Sequence, residues 1–250
     1  MNQRSAGSWS DSVYWDQSRR PLACLLFLLP LLLAYEAGVV WLNGGSTPAF
    51  RNLADAWMRH GLTRIGLDHA MLLPVLVMGG LLAWHLGCRH PWRVQPATLA
   101  GMFGESVLFA TGLLCLAHLQ WWAFGEWGLT VSLSPAERLA AGRLIGFVGA
   151  GVYEEVLFRL CLLPACWMLL MALGIDRRPA AVAAVVASSL LFALAHYTGG
   201  SGEAIGWFSF SFRALAGGVF AGLFLWRGFG ITVGAHAAYD ILVGLLLTAG

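Results

Sequence analysis

The sequence predicts an all-α protein, a polytopic bundle of transmembrane helices with about seven to eight spans. Hydrophobic residues make up 58% of its 250 positions and charged residues only 11%, whereas soluble domains carry about 45–50% and about 25%. A chain of this composition cannot cover a water-facing surface, so most of its surface must face lipid. Its apolar residues are also gathered into runs of about 20, the length that crosses a bilayer as a helix.

Each apolar run predicts one span, and in order they are about 21–42, 68–87, 97–124, 143–173, 180–198, 205–226 and 229–249. The fourth run is long and contains Pro164, which predicts either one kinked, tilted helix or a helix followed by a short re-entrant piece. Splitting this run into two spans would give an eighth span. Residues 48–67 mix arginines and acids with large apolar residues. This pattern favours an amphipathic helix in the interface or a solvated loop helix.

The polar segment 1–20 ends in Arg19 and Arg20, and the apolar run that follows is too long for the core of an export signal. We therefore interpret 21–250 as a single transmembrane bundle with a retained first span. Arginines are more frequent on the side of the amino terminus, which predicts a cytoplasmic amino terminus. We expect a bacterial inner membrane as the location and membrane lipids as partners. The small, dispersed charge of +2 predicts no nucleic-acid partner.

The fourth run contains charged residues that are costly in a membrane. Glu154, Glu155 and Arg159 would each cost about 2.5–3.5 kcal/mol at mid-bilayer, and such residues usually mark function. Arg159 lies four residues after Glu155, so the two can form an ion pair on one helical face. Glu154 is turned about 100° away from Glu155 and is free to face another group. The spacing indicates one structural carboxylate and one available carboxylate.

Two further pairs of residues have the spacing of one helical turn. Phe192 and His196 are four residues apart at the end of the fifth run, and His236 and Asp240 are four apart in the seventh. Polar groups on separate spans can converge in a helical bundle. Because His196 ends a span and His236 begins one on the other side, convergence requires a deep fifth span or a buried last loop.

The three motifs, taken in order, resemble the signature of the CPBP (CAAX protease and bacteriocin-processing, or Abi) family: Glu154-Glu155-x-x-x-Arg159, Phe192-x-x-x-His196 and His236-x-x-x-Asp240. The resemblance covers about residues 97–249, the expected catalytic core, and no motif of the family lies in the first hundred residues. It implies an intramembrane endopeptidase whose substrate is a membrane protein or a lipidated peptide. Glu155, Arg159 and Phe192 would then orient the site.

The resemblance also implies roles for the remaining motif residues. Glu154 and His196 would form a general-base dyad that activates water, and His236 with Asp240 would stabilise the oxyanion. Many relatives carry Asn where this chain has Asp240. Since a carboxylate donates no hydrogen bond, Asp240 would have to be protonated, orient His236 or bind a metal.

The chemistry of the site leaves a metal as an alternative. Glu154, His196 and His236 could bind zinc or another divalent ion, but the chain has no His-Glu-x-x-His pair on one helix. The preferred mechanism therefore needs no cofactor.

Other polar groups in or near the spans are interpreted as structural: Glu36, Glu105, His69, His85 and His118. Arg213 would bind a substrate carboxylate, snorkel or meet a distant partner. The five cysteines show no metal-binding spacing and are interpreted as small hydrophobic residues.

Two functions compete with the endopeptidase. One is a non-catalytic membrane immunity or scaffold protein of the same fold. The other is a transporter or proton relay, since intramembrane Glu and His also serve proton transfer, although no inverted repeat is present.

Overall fold

The computed structural model describes residues 13–44, 51–124, 140–198 and 206–246, and all regular secondary structure in these ranges is helical. After a short helical stretch at 13–18, the helices are α1 (Pro21–Leu42), α2 (Leu53–Arg64), α3 (Leu72–Gly87), α4 (Pro96–Phe124), α5 (Ala140–Gly149), α6 (Leu163–Ala172), α7 (Arg177–Ala195), α8 (Trp207–Arg227) and α9 (Phe229–Leu246). Two π-helical segments, π1 (Ala150–Glu154) and π2 (Val156–Leu162), join α5 to α6.

The predicted polytopic helical bundle is confirmed. Among the described residues, five stretches are long and apolar enough to cross a membrane: Pro21–Leu42, Pro96–Phe124, Ala141–Ala172, Arg177–Ala195 and Trp207–Arg227. The second and seventh predicted spans correspond to α3 and α9, which are apolar but shorter. Residues 205 and 247–249, at the ends of the last two predicted spans, lie outside the described residues.

The long fourth run is a single helical stretch, so it does not supply an eighth span. Ala141–Ala172 continues through π1 and π2 without a break. Pro164 is the second residue of α6 and directly follows the π-helical run inside the continuous stretch. The change from α- to π-helical hydrogen bonding therefore precedes the proline.

Helix α9 is the central helix of the bundle, and its residues 231–237 are all buried. Small residues let neighbouring helices approach it closely, as is typical of membrane bundles. A Cβ on Gly230 would lie 2.5 Å from Met102 of α4, and the Gly230 N–H donates to the Sγ of Cys24 in α1 at 3.4 Å. On the other side, a Cβ on Gly151 of π1 would lie 2.7 Å from the backbone nitrogen of Ala237.

Helix α2 packs one side against the bundle, and its position relative to the membrane interface stays a prediction. Residues 48–50 lie outside the described residues, but the helix that follows buries Ala54 and Asp55. The Asp55 carboxylate accepts hydrogen bonds from Arg51 at 2.7 Å, from Arg59 at 2.5 Å and from the hydroxyl of Tyr35 in α1 at 2.9 Å. Arg51, Asp55 and Arg59 therefore point towards protein, where they form ion pairs with one another.

Candidate active site

The site is built around the junction of π1 and π2, where two consecutive carboxylates point to different partners. Glu154 ends π1 and Glu155 stands between the two segments. π-helical turns inside α-helices are frequent at functional sites. Here they carry both acids and Arg159 through the middle of a membrane-spanning helix.

Glu155 is fully buried and contacts a nitrogen atom with each of its two oxygens. Its Oε2 forms the predicted (i, i+4) ion pair with Nε of Arg159 at 3.0 Å. Its Oε1 lies 2.7 Å from Nδ1 of His236 in α9, within hydrogen-bonding distance. Glu155 therefore ties its own helix to α9.

Arg159 is buried among aromatic rings and one carbonyl group. Its Nη2 donates to the carbonyl oxygen of Gly217 in α8 at 3.0 Å. The guanidinium carbon lies 4.8 Å from the centre of the Phe192 ring and 5.5 Å from that of Phe220. A planar cation with several donors suits such a site, because it can pair with a carboxylate and stack on rings at once.

Glu154 is mostly buried, and its two oxygens have different surroundings. Oε1 accepts a hydrogen bond from Nδ2 of Asn52 at 3.0 Å. Oε2 has no hydrogen-bond partner among the described residues. It faces Nε2 of His196 at 3.8 Å and Nε2 of His236 at 3.9 Å. A buried acceptor left unpaired is costly in a folded protein and calls for a functional or structural explanation.

Each imidazole is oriented by a second contact. His196 follows the last residue of α7, and its Nδ1 donates to the carbonyl oxygen of Phe192 at 2.8 Å, which turns its Nε2 towards Glu154. The His236 ring is stacked on Phe220 at 4.5 Å between ring centres. Nε2 of His236 also lies 3.5 Å from Asp240, one turn along α9.

The structure thus brings the seven motif residues together from the π1–π2 segment, α7 and α9. The apparent mismatch in depth between His196 and His236 has a simple geometric solution. α7 reaches the site with its carboxyl-terminal end, while His236 lies two turns inside the buried α9. The fifth span reaches deep into the bundle, and the short central helix meets it there.

The possible metal ligands do not form a recognisable metal site. Among the described residues, no group of three or more His, Cys, Asp or Glu side chains is arranged to hold a metal ion. Metal binding by Glu154, His196 and His236 stays a prediction.

The sequence interpretation missed Asn52. This residue contacts Glu154 although the two are 102 positions apart in the sequence. Residue spacing within a helix cannot predict a contact between segments so far apart. Glu36, interpreted as a single structural group near a span end, belongs to the same region. It accepts hydrogen bonds from Arg51 at 3.2 Å, from Arg59 at 2.9 Å and from the hydroxyl of Tyr153 at 2.5 Å.

Most of the remaining polar groups have partners outside the site, and Glu105 pairs with Arg227 at 2.7 Å. Arg213 borders the site: its guanidinium lies 5.0 Å from the ring centre of Tyr197, and its charge acts on His196 and Asp240. His85 and His118 contact tryptophan rings, and Nδ1 of His69 accepts the N–H of Met71. All five cysteines are free.

Fold and site together define a helical membrane protein with a cluster of carboxylates and imidazoles supplied by three helices. Comparison with protein families finds a match over residues 136–242 to the family described as type II CAAX prenyl endopeptidase Rce1-like. No curated protein and no solved structure matches the chain. The resemblance to the CPBP family is confirmed over this segment, and the protein is a helical integral membrane protein that is similar to the CAAX proteases there.

Proposed function

We propose that the protein is an intramembrane endopeptidase in which Glu154, together with His196, activates water for attack on a peptide bond. The observation that carries this proposal is the unpaired Oε2 of Glu154, buried and facing Nε2 of His196 at 3.8 Å. The separation is too long for a direct hydrogen bond. A water molecule beside both atoms could donate one hydrogen to each.

The tautomer of His196 supports this arrangement. Because its Nδ1 donates to the Phe192 carbonyl, the neutral ring presents Nε2 as an acceptor. Glu154 would take one proton of the water as its oxygen bonds to the carbonyl carbon of the substrate. The same proton then passes to the amide nitrogen as the carbon–nitrogen bond breaks, which yields a carboxylic acid and an amine.

His236 is the proposed donor to the oxyanion. Its Nδ1 is engaged by Glu155 and its Nε2 is directed into the site. In its doubly protonated form, Nε2–H would hydrogen-bond the negative oxygen of the tetrahedral intermediate, and losing such a donor costs about 10²–10³-fold in kcat. Asp240 lies 3.5 Å from Nε2 of His236. This contact favours orientation of His236 as the role of Asp240.

The substrate class follows from the location of the site and from the matched family. The matched family is described as a prenyl endopeptidase, and the site of this chain lies within membrane helices. We therefore propose a membrane-associated or lipid-attached protein segment as substrate, cleaved without a required cofactor.

The test compares the termini of membrane proteins in cells that produce the wild-type protein or Glu154→Gln. The substitution keeps the shape and the contact with Asn52 but removes the base, so we expect a defined set of cleaved ends to disappear at equal protein level. Asp16→Asn, at an exposed carboxylate outside the bundle, should leave those ends unchanged. If Glu154→Gln retains them while deletion of the gene has a phenotype, the protein is a scaffold of this fold and the proposal is wrong.

A further inference from the structure

Helix α2 lies outside the segment that matches the family, yet it supplies a hydrogen bond to the proposed base. Asn52 precedes the first residue of α2 and donates through Nδ2 to Oε1 of Glu154 at 3.0 Å. Residues 136–242 therefore do not contain all the groups that contact this carboxylate.

The orientation of the Asn52 amide is determined by the helix that it caps. Its Oδ1 accepts the N–H of Ala54 at 2.9 Å, a typical N-cap contact. An amide whose oxygen faces the helix must present its NH₂ group to the opposite side. That side is occupied by Glu154, so capping and the contact with the carboxylate require the same orientation.

The backbone next to this amide is also held. The N–H of Asn52 donates to the hydroxyl oxygen of Tyr35 at 2.9 Å, and the same hydroxyl donates to Asp55 at 2.9 Å. Asp55 is completely buried. Asn52 therefore has little freedom to move away from Glu154.

A buried group of charged and phenolic side chains fixes this arrangement on both sides of the contact. We name it the α1–α2 charge network, and it consists of Tyr35, Glu36, Arg51, Asp55, Arg59 and Tyr153. Its two carboxylates and two guanidinium groups balance in charge. Tyr153 is the residue before Glu154, and its hydroxyl donates to Glu36 at 2.5 Å. The network thus holds both Asn52 and the backbone that carries Glu154.

We infer that Asn52 is a positioning residue for Glu154, held in place by the α1–α2 charge network. Its amide binds Oε1, so the carboxylate plane is fixed and Oε2 is left directed at His196 and His236. This inference rests on the proposed function, since a positioning residue needs a base to position.

The competing explanation is that Asn52 only caps α2. Serine and aspartate are as good as asparagine at this position of a helix, but neither offers an amide donor to Glu154. Asn52→Ser would keep the cap and lose the donor. Asn52→Asp would keep the cap and the size of the side chain while placing a second negative charge beside Glu154. The two variants therefore separate capping from positioning.

The experiment uses the full chain in proteoliposomes and a synthetic peptide that spans a cleavage site found in the comparison of termini. We expect Asn52→Ser to lower kcat about tenfold and Asn52→Asp about a hundredfold, which is the range expected when a hydrogen bond to a charged group is lost or replaced by repulsion. KM should stay within about twofold, because Asn52 holds the base and not the peptide. Because the cap on α2 is kept, the thermal unfolding midpoint should fall little in Asn52→Ser, and it should fall further in Asn52→Asp, where two negative charges meet.

The outcomes distinguish this inference from the proposed function. If both variants keep wild-type kcat while Glu154→Gln is inactive, Asn52 is a cap and the inference alone is wrong. The inference is also wrong if the fall in kcat follows the fall in stability in both variants and Asn52→Asp is at least as active as Asn52→Ser. If the wild-type protein in proteoliposomes does not cleave the sites that were found in cells, the proposed function is wrong, and the inference is wrong with it.

Discussion

At the scale of single residues, the site depends on consecutive acids that reach opposite nitrogens of one ring. Glu155 meets Nδ1 of His236 at 2.7 Å, and Glu154 faces Nε2 of the same ring at 3.9 Å. Adjacent residues of a helix diverge by roughly a quarter of a turn, so a ring placed between them can contact both. One acid is paired and oriented, while the other keeps one oxygen without a hydrogen-bond partner among the described residues.

Arg159 allows a test of the paired acid. Lysine would keep the charge but could not pair with Glu155, donate to Gly217 and stack on Phe192 at the same time. We expect Arg159→Lys to lower the free energy of unfolding by about 1–3 kcal/mol and to reduce cleavage. Thermal unfolding in detergent would measure the first effect and peptide cleavage the second.

A matched control for this substitution is Arg177→Lys. Arg177 is exposed and lies 5.5 Å from the ring centre of Trp167, a contact that lysine can also make. The thermal unfolding midpoint of the Arg177→Lys variant should therefore equal that of the wild-type protein. A loss of similar size in both variants would show that the buried partners of Arg159 are not the cause.

At the scale of elements, the π1–π2 segment sets how closely the two acids approach α9. A Cβ on Gly151 would lie 2.6 Å from the Cβ and 2.8 Å from the Cα of Ala237. Backbone atoms in two packed helices cannot move aside as a flexible side chain can. Glycine is therefore required at this crossing.

We expect Gly151→Ala to push π1 away from α9 and to lower the free energy of unfolding by about 1–3 kcal/mol, as overpacking does. Cleavage should fall further than stability alone explains, because the Glu154–His236 separation would grow. Gly222→Ala is the control, since no atom lies within 4 Å of a Cβ built there. It should be neutral or stabilising by up to about 1 kcal/mol. Equal behaviour of the two variants would contradict the role of the crossing.

At the scale of the whole molecule, the α1–α2 charge network joins the amino-terminal helices to the segment that carries the motifs. Asp55 is its most buried acid and receives both arginines. Burial alone lowers the pKa of Arg51, but the hydrogen bond and charge of Asp55 and the charge of Glu36 outweigh this and raise it above its usual value. Asp55 and Glu36 therefore hold Arg51 in its charged form.

Removing one charge from this network should affect both halves of the protein. We expect Asp55→Asn to cost about 3–5 kcal/mol of unfolding free energy, because it leaves a buried guanidinium without its full counter-charge. Activity at a permissive temperature should fall as well, since Tyr35 and Asn52 lose their anchor. Asp68→Asn, at an exposed site, should change the unfolding midpoint little. An unchanged midpoint for Asp55→Asn would mean that the network is not a structural link.

Much of this organisation could be predicted from sequence, and the rest depended on contacts between distant segments. The apolar runs predict the helices because lipid requires continuous apolar length, and the (i, i+4) spacing predicts the Glu155–Arg159 pair. The contact of Asn52 with Glu154 left no periodic signal. The pattern of Arg51, Asp55 and Arg59 was visible, but it fits an interfacial helix as well as a buried network. No residue pattern distinguished π-helical from α-helical turns in the fourth span.

The π-helical run has a consequence for how this chain can change over time. Because its hydrogen bonds reach one residue further than those of an α-helix, the run between residues 150 and 162 accommodates extra residues within the same path. Deleting one would restore α-helical bonding locally and leave the helix beyond it close to its present path. Within the run, however, the positions of Glu154, Glu155 and Arg159 around the helix axis would change, and the contact of Glu155 with His236 would be lost. Natural variation should therefore preserve the spacing of these three residues.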